Sequence, residues 1–453
     1  MNAYPDHKRL YRLPWSLPDN AIAWLEITEA CNLCCEGCYR AHVPGGHKSL
    51  AALEQELGVF ARARSFDGVS IAGGEPLIHP DIVEIVRMVA GRGYKPIINT
   101  NGIALDDALL GRLKDAGLGG FTFHIDSKQS RPGWKHARES DLNGLRQRFA
   151  DRVAAVGGIS CAFNATVYDD TLPEVPGIVA WARSQIDKVH VVVFIAYRQA
   201  AGQFAESMDF YVGGRAVPMS ELVYSQPTGS QRLDISSRDI LAEIRTRFPD
   251  FAPAAYLNGT EKADSLKWLL TTCVGTKEKV YGCAGPRFIE LAQSYEHWRR
   301  GRFLAYAAPR TLRRGRRIAA LASMFDPGMR GALGRYLGEV WTRPLRPLPR
   351  LYLQSVMIIQ PIDVLADGRM NMCDACPDVT VHEGELVWSC RLEERLKFGG
   401  FARAVPKSLE LEEREAVPVV AAAAASGASA AAQEASPDPE LVVAGSGTFE
   451  GTP

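Results

Sequence analysis

Cys31-Asn32-Leu33-Cys34-Cys35-Glu36-Gly37-Cys38-Tyr39-Arg40 is the stretch on which the reading of this chain turns. Cys31, Cys35 and Cys38 give the spacing Cys-x3-Cys-x2-Cys. Three thiolates on one short loop can hold three irons of a four-iron cluster and leave the fourth iron a free coordination position, where a small molecule can bind and take up an electron. Cys34 also lets the segment be read as two abutting pairs, Cys31–Cys34 and Cys35–Cys38, which raises zinc. Zinc sites usually separate their two pairs by about a dozen residues or more so that the pairs converge tetrahedrally, and abutting pairs do so with difficulty. A disulfide framework suits neither a 453-residue chain with 10 cysteines nor a start, Met1 to Arg9, without an apolar signal segment. Inert thiols remain the third reading of the spacing.

Outward from this loop, residues 21 to about 200 alternate apolar β-rich runs with helical patterns. Strands are expected at Ile22–Ile27, Gly68–Ala72, Pro96–Thr100, Phe121–Ile125, Ile159–Val167 and Val189–Ala196. Helices are expected at Leu50–Arg64, Asp81–Ala90, Asp106–Ala116, Asp141–Val156 and Leu172–Ser184. Pro80 is a helix-start signal, and Gly91 and Gly93 are stop signals. The strands are unbroken apolar runs, as in a parallel sheet covered on both faces. The fold class that follows is α/β, a partial (β/α)6 TIM-like barrel with a mixed, cysteine-containing C-terminal extension. In such barrels the chemistry sits at the C-terminal ends of the strands. The cysteine loop follows the first strand, Gly73-Gly74-Glu75-Pro76 the second, Asn99-Thr100-Asn101-Gly102 the third and His124-Ile125-Asp126-Ser127 the fourth. Asn164 lies near the end of the fifth. Gly-Gly-Glu-Pro alone is usually a turn, but its place at the strand end next to the cysteine loop gives it weight.

In combination these motifs resemble the radical S-adenosylmethionine (radical SAM) superfamily over roughly residues 20–200. The resemblance implies that Cys31, Cys35 and Cys38 ligate a [4Fe–4S] cluster whose fourth iron chelates S-adenosylmethionine. It implies that Gly73, Gly74, Glu75 and Pro76 hold the methionine amino group, and that Asp126, Ser127 and Asn164 lie by the ribose, with Asn101 on the neighbouring strand end. The implied chemistry is one-electron cleavage of the sulfonium to a 5′-deoxyadenosyl radical that abstracts hydrogen from an unactivated carbon, the protein supplying orientation and water exclusion. The sequence departs from the pattern at Gly37, before the third cysteine, where the family often has an aromatic residue; Tyr39 is the alternative ring for adenine. Cys34 reads as a bystander, Cys161 as a buried small apolar residue, and His42 and His47 as structural or solvent-facing.

The second half holds Cys273, Cys283, Cys373, Cys376 and Cys390. Pro361–Met370 reads as a hairpin with an Asp-Gly turn feeding Cys373-Asp-Ala-Cys376-Pro. This loosely resembles the auxiliary-cluster (SPASM-like) modules of radical SAM enzymes. The five cysteines are therefore expected to supply an auxiliary [4Fe–4S] cluster, with structural zinc and free thiols as alternatives. Residues 297–350 carry 13 arginines against Asp326 and Glu339, a local charge of +11 in a chain of net charge zero. Such asymmetry says more than the total. The bland reading is a solvated basic helix pair. The sharper one is a surface for anionic lipid headgroups or a phosphorylated substrate.

The resulting expectations are a lead-in over 1–20, a core barrel over 21–200 and a substrate or insertion region over 201–350. A cysteine-rich module over 351–407 and an acidic, then Ala-rich disordered tail over 408–453 follow. Composition, 46% hydrophobic and 23% charged, is that of a soluble globular protein, expected to be cytoplasmic. The expected activity is C–H activation on a small-molecule, lipid or peptide substrate. A phosphate-bearing lipid or isoprenoid is the first reading, a peptide-modifying maturase the alternative, and a non-catalytic metal-binding scaffold the reading outside enzymology. A reductase, or a flavodoxin- or ferredoxin-type donor, would supply electrons, peripheral contact with an anionic membrane is conceivable, and no nucleic acid is expected because no signature beyond charge is present.

Overall fold

Apolar runs covered on both faces build the centre of the molecule. After Tyr11–Arg12 (β1), the strands Ile22–Thr28 (β2), Gly68–Gly73 (β3), Lys95–Thr100 (β4), Gly120–His124 (β5), Ser160–Val167 (β6) and Val191–Ala196 (β7) are hydrogen-bonded from β2 to β7 in sequence order, all parallel. Between them run Leu50–Ala63 (α1), Ile82–Gly91 (α2), Asp107–Asp115 (α3), Asn143–Val156 (α4) and Val175–Ser184 (α5). This is the partial (β/α)6 barrel expected from the alternation. The computed structural model describes residues 5–408 except 200–203, 205, 223–224, 226–228, 230–231 and 343–347. Beyond Ser408, the expected acidic and Ala-rich tail lies outside the described residues.

Helix starts follow local chemistry. Ser49 caps α1 by accepting from Ala52 N, and Asp106 caps α3 by accepting from Leu109 N. Leu53, Leu57 and Phe60 of α1, and Ile85, Val86 and Val89 of α2, are fully buried against the sheet. Those spacings of three and four are the apolar stripe of a covering helix.

The second half extends the sheet. Met208–Val212 (β8), Arg215–Ala216 (β9), Ser237–Arg247 (α6), Ala255–Leu257 (β10), Trp268–Gly275 (β11) and Val280–Cys283 (β12) come first. Pro286–Arg300 (α7), Pro309–Leu312 (α8), Gly315–Ala322 (α9), Pro327–Trp341 (α10) and Tyr352–Ile359 (β13) follow. β13 pairs in parallel with β7, β11 runs antiparallel to β13, and β10 and β1 complete the row, with β12 on β11. Asp363–Val364 (β14) and Met370–Asn371 (β15) form the expected hairpin, with Gly368 left-handed at φ 85°. Val379–His382 (β16) and Glu385–Trp388 (β17) form another, before Leu392–Phe398 (α11). Arg403–Pro406 (β18) joins β8 and β9 in a small antiparallel sheet.

The arginine-rich segment is a helical cap under the N-terminal ends of the barrel strands. Its path is marked by His297 on Asp19 (2.7 Å), Ser65 Oγ donating to Gly301 O (2.9 Å), Ala305 N donating to Asp67 (3.1 Å) and Lys95 Nζ donating to Tyr306 O (3.0 Å). The Tyr306 hydroxyl reaches Thr122 of β5 from below (3.3 Å). Asp326, fully buried, accepts from Met329 N at the start of α10 and from Gly285 N and Phe288 N at the start of α7. One carboxylate thus ends two helices, as expected for an anion at helix N-termini.

Candidate active site at the barrel mouth

The opposite end of the barrel is formed by the loops after the strands. After β2 the chain enters the cysteine loop, with Cys31, Cys35 and Cys38 half-buried and Cys34 exposed, as a bystander would be. Burial pushes all three half-buried thiols up. Cys35 is pushed further by the charges of Asp126, Cys38 and Cys31 and drawn back by Arg131. The three are therefore neighbours. Among the described residues, however, no three His, Cys, Asp or Glu side chains stand as a ready-made metal site; the loop gathers its thiols without closing them on one point.

The Gly-Gly-Glu segment is bound to the root of this loop. Gly74 N donates to Thr28 O (2.7 Å) and Glu75 N to Ala30 O (2.8 Å). A Cβ at Gly73 or Gly74 would stand 2.2 Å from those same carbonyl oxygens, and Gly73 sits at φ 124°. Glycine is required here by close backbone approach. Glu75 is buried and accepts from Leu77 N (2.9 Å), Asn101 N (2.7 Å) and the Thr100 hydroxyl. Burial pushes its carboxyl up against these hydrogen bonds. The carboxylate thus joins the ends of β3 and β4. Asn101 carries the connection on, donating from Nδ2 to Asn32 Oδ1 inside the cysteine loop (2.7 Å).

After β5, Asp126 is buried and bonded to His124 Nε2 (2.8 Å), Lys128 N (3.0 Å) and Thr166 N (3.3 Å). Burial would raise its carboxyl, but the hydrogen bond and charge of His124 and the two backbone donors outweigh it, and the net shift is downward. Ser127 N donates to Glu139 (2.6 Å). Pro76 is buried at the start of the short turn after Glu75. Arg131, invisible as a site residue in the sequence, is buried beside Asp126 and Cys35 and donates to Asn101 O (2.8 Å) and Gln129 (3.0 Å).

Gly37 explains the departure from the aromatic pattern. It sits at φ 67°, and a Cβ there would meet the Tyr197 ring at 2.8 Å and the Tyr168 hydroxyl at 2.9 Å. Tyr168 and Tyr197 stack on each other at 4.6 Å, and the Tyr168 hydroxyl donates to Glu36 O (2.6 Å). The aromatic surface beside the third cysteine comes from strands β6 and β7 and the turns after them. Tyr39 lies close to Cys38 and, on its other side, to Asp378, Ser389 and Cys390. His42 Nε2 lies 3.8 Å from Cys38 Sγ, while His47 Nδ1 lies 2.8 Å from the Thr28 hydroxyl. Cys161 is fully buried on β6, as expected.

The five later cysteines do not share one site, which corrects the expectation of a single auxiliary set. Cys273 and Cys283 face each other across β11 and β12, buried with Arg183 Nη2 3.9 Å from Cys273 Sγ. Cys373 and Cys376 lie in a different buried cluster, with Cys390 close enough to feel the charge of Cys373. Asp378 lies among these three, its carboxyl pushed up to about 7 by burial. The two groups are separated because β12 pairs on β11 whereas the Cys373–Cys376 turn is held at the other end of the chain's path. There Arg64 donates to Cys376 O (3.2 Å), Asn20 Nδ2 to Ala375 O (3.0 Å) and Arg12 to Asp374 (2.6 Å).

The mouth fits an iron–sulfur cluster with a polar organic ligand. Its thiols are free of disulfides. Asn99 Nδ2 on β4, Asn164 Oδ1 on β6 and Arg131 Nε are buried without a hydrogen-bond partner among the described residues. Such atoms cost about 1–3 kcal/mol each when left unpaired, and a ligand in the mouth would relieve that cost.

Residues 25–156 match the sequence model of the Radical SAM superfamily. A segment of 185 residues is 26% identical to the 7,8-dihydro-6-hydroxymethylpterin dimethyltransferase of Methanocaldococcus jannaschii, covering 38% of this chain and 35% of that protein. A segment of 134 residues is 36% identical to the probable GTP 3′,8-cyclase of the same organism, covering 27% of this chain and 43% of the relative. The chain thus spans less than half the length of either. Among solved structures, SuiB of Streptococcus suis bound to precursor peptide SuiA matches over 41% of this chain and 42% of its own, at 18% identity and a TM-score of 0.33.

Proposed function

We propose, from the radical SAM domain that residues 25–156 of this chain carry, an enzyme that cleaves S-adenosylmethionine reductively and activates a C–H bond of its substrate. The observation that carries this reading is the Gly-Gly-Glu segment bonded to the root of the cysteine loop through Thr28 O and Ala30 O. Cys31, Cys35 and Cys38 would hold a four-iron cluster, which would supply one-electron reduction of the sulfonium and with it radical C–H chemistry.

The chain's own residues do the rest. Gly73 and Gly74 bring bare backbone to the methionine end of the ligand, with Pro76 closing the turn behind them. Glu75 holds the ends of β3 and β4 in register with the cysteine loop, through Asn101 and Asn32. Asp126, Ser127 and Asn164 serve the ribose, with Asn164 Oδ1 waiting for a donor. Arg131 faces the negative charge gathered by Cys35, Asp126 and Glu75. The Tyr168–Tyr197 stack covers the loop beside Cys38 and excludes water there. Tyr39 stands between this mouth and the Cys390 group. Cys373, Cys376 and Cys390 are the residues we assign to an auxiliary cluster. A flavodoxin- or ferredoxin-type donor, or a reductase, supplies the electron.

For the substrate, a peptide is preferred over a phosphate-bearing lipid. Of the second cysteine group, Cys390 stands by Tyr39 next to the cysteine loop, whereas the arginines on which the lipid reading rests lie under the far end of the barrel. The test is anaerobic reconstitution, reduction with dithionite and detection of 5′-deoxyadenosine. Wild type is expected to release it, and a Cys31→Ala/Cys35→Ala/Cys38→Ala variant to release none and to hold about four fewer irons. Iron-replete wild type that releases no 5′-deoxyadenosine would leave the scaffold reading in place of the enzyme.

A further inference from the structure

A cavity of about 510 Å³ opens in the helical cap, lined by Arg310, Arg313, Arg314, Arg316, Arg317 and Arg350 together with Pro309 and Gly158. Its place in the barrel is fixed by three contacts. Gly158 lies two residues before β6, Arg313 acts on His190 just before β7, and Gly315 abuts Leu351 O just before β13. All three are N-terminal strand ends, so the cavity faces away from the cysteine loop, roughly 25 Å off along an eight-residue strand. All six arginines are exposed, and among the described residues none forms an ion pair with a carboxylate. Close packing of six like charges is unfavourable in a free protein, and it is relieved by an anionic partner.

The same cap carries an unusual share of exposed apolar surface. Among the described residues thirteen large apolar side chains are exposed, and nine of them lie between Leu291 and Leu348. Leu291, Tyr295 and Trp298 follow one another at intervals of four and three on α7. Leu337 and Trp341 stand four apart on α10, and Leu321, Met324 and Phe325 lie at the end of α9. Trp298 is 81% exposed and Trp341 87%. Basic residues interleaved with exposed Trp, Phe and Leu on short helices are the composition of an interfacial surface. Among the described residues no helix is long and apolar enough to cross a membrane.

We infer that the α7–α10 cap docks the protein on an anionic lipid bilayer, the arginine cavity taking headgroup phosphates and Trp298, Leu321, Phe325 and Trp341 entering the headgroup boundary. The barrel mouth then points away from the bilayer, so the bound lipid is an anchor rather than the molecule on which the radical acts. A bilayer accounts for both halves of the surface. Nucleic acid would account for the arginines and leave the apolar stripes unexplained.

The test is flotation of the full chain with vesicles of phosphatidylcholine alone or containing about one-third phosphatidylglycerol, in 0.15 M salt on the order of physiological ionic strength. The expected result is binding to the anionic vesicles alone, released as salt rises to about 1 M, where the screening length falls to roughly 3 Å. Arg313→Glu/Arg314→Glu/Arg316→Glu/Arg317→Glu should weaken binding at least about a hundredfold, each basic residue near such a surface contributing roughly a factor of five. Trp298→Ser/Trp341→Ser should weaken it about tenfold or more while keeping wild-type iron content, and serves as the second variant if the arginine variant misfolds. Equal binding to neutral vesicles, no binding by wild type, or unaltered binding by the charge-reversed variant would each overturn the inference. So would binding of poly(U) at the same salt without binding to vesicles, which would make this a nucleic-acid surface.

Discussion

Gly74→Ala tests the junction between the Gly-Gly-Glu segment and the cysteine loop. Its φ lies outside the left-handed region, so backbone conformation is not the obstacle. Space is: the new Cβ would stand 2.2 Å from Ala30 O and 2.7 Å from Ala30 C, about an ångström closer than contact allows. Both partners are backbone and cannot rotate away. Relief requires the two segments to part, which breaks the Glu75 N to Ala30 O hydrogen bond and moves the residue preceding Cys31. The lost bond costs about 1 kcal/mol and the overpacking about 1–3 kcal/mol. With roughly 2.1 cal/mol/K of unfolding entropy per residue over about 400 residues, that lowers Tm by about 2–5 °C. Because the displacement falls on the loop carrying Cys31, the variant should also retain less than half of the iron bound there after anaerobic reconstitution. Thermal denaturation and iron assay are run in parallel with Gly91→Ala, at the end of α2, where an added Cβ meets nothing and stability should rise slightly. A Gly74→Ala protein that melts with wild type and binds wild-type iron would refute the reasoning.

Three further outcomes follow from the same geometry. Asn164→Val removes a buried oxygen without a partner; stability without ligand should hold or rise, while the Kd for S-adenosylmethionine by equilibrium dialysis rises at least about tenfold. Arg131→Met leaves Cys35, Asp126 and Glu75 without their shared cation, and calorimetry should show the S-adenosylmethionine Kd raised about tenfold or more. His190 is buried and held at a pKa of about 4 by burial and by the charge of Arg313. The folded state therefore binds its proton less readily than the unfolded one, and stability is lost as pH falls from about 6.5 to about 4, by roughly 3 kcal/mol. In His190→Gln that part of the pH dependence should vanish from urea-denaturation curves.

The first half of the fold was legible because each element states itself locally. The Pro96–Thr100 run became Lys95–Thr100, and the Asp106 helix start became an N-cap. The strand-end rule then placed Glu75, Asn101 and Asp126 at one mouth. What stayed hidden depends on chain separation. Tyr352–Ile359 reads as one more apolar run, and nothing local says that it pairs in parallel with Val191–Ala196. The same distance hid the split of the five later cysteines, since the Cys273–Cys283 register depends on β12 folding back on β11. Arg131 escaped notice because an arginine in a loop ordinarily faces water, and Tyr168 and Tyr197 because their signal was a missing ring at Gly37. The arginine-rich helices were visible in composition, but which end of the barrel they cover was not.

The clasp between Arg64, Asn20 and the Cys373–Cys376 turn also governs how the chain is made. Arg64 Nη2 waits for a carbonyl 312 residues further along, and β16 lies against β2 after a comparable interval. During synthesis the flank of β2 therefore stays uncovered until residues 376–382 have emerged, and an uncovered strand flank is prone to pairing with other chains. A nascent chain halted near residue 350 would hold its six parallel strands with a bare edge, and Arg64 would keep Leu17 O and Ile22 O but lack Cys376 O and Pro377 O. Such a product belongs with chaperones or proteases rather than with functional fragments, and recombinant expression of residues 21–200 alone should yield aggregate. The segment around Cys376 to His382 thus shields the flank of the first strand of the barrel.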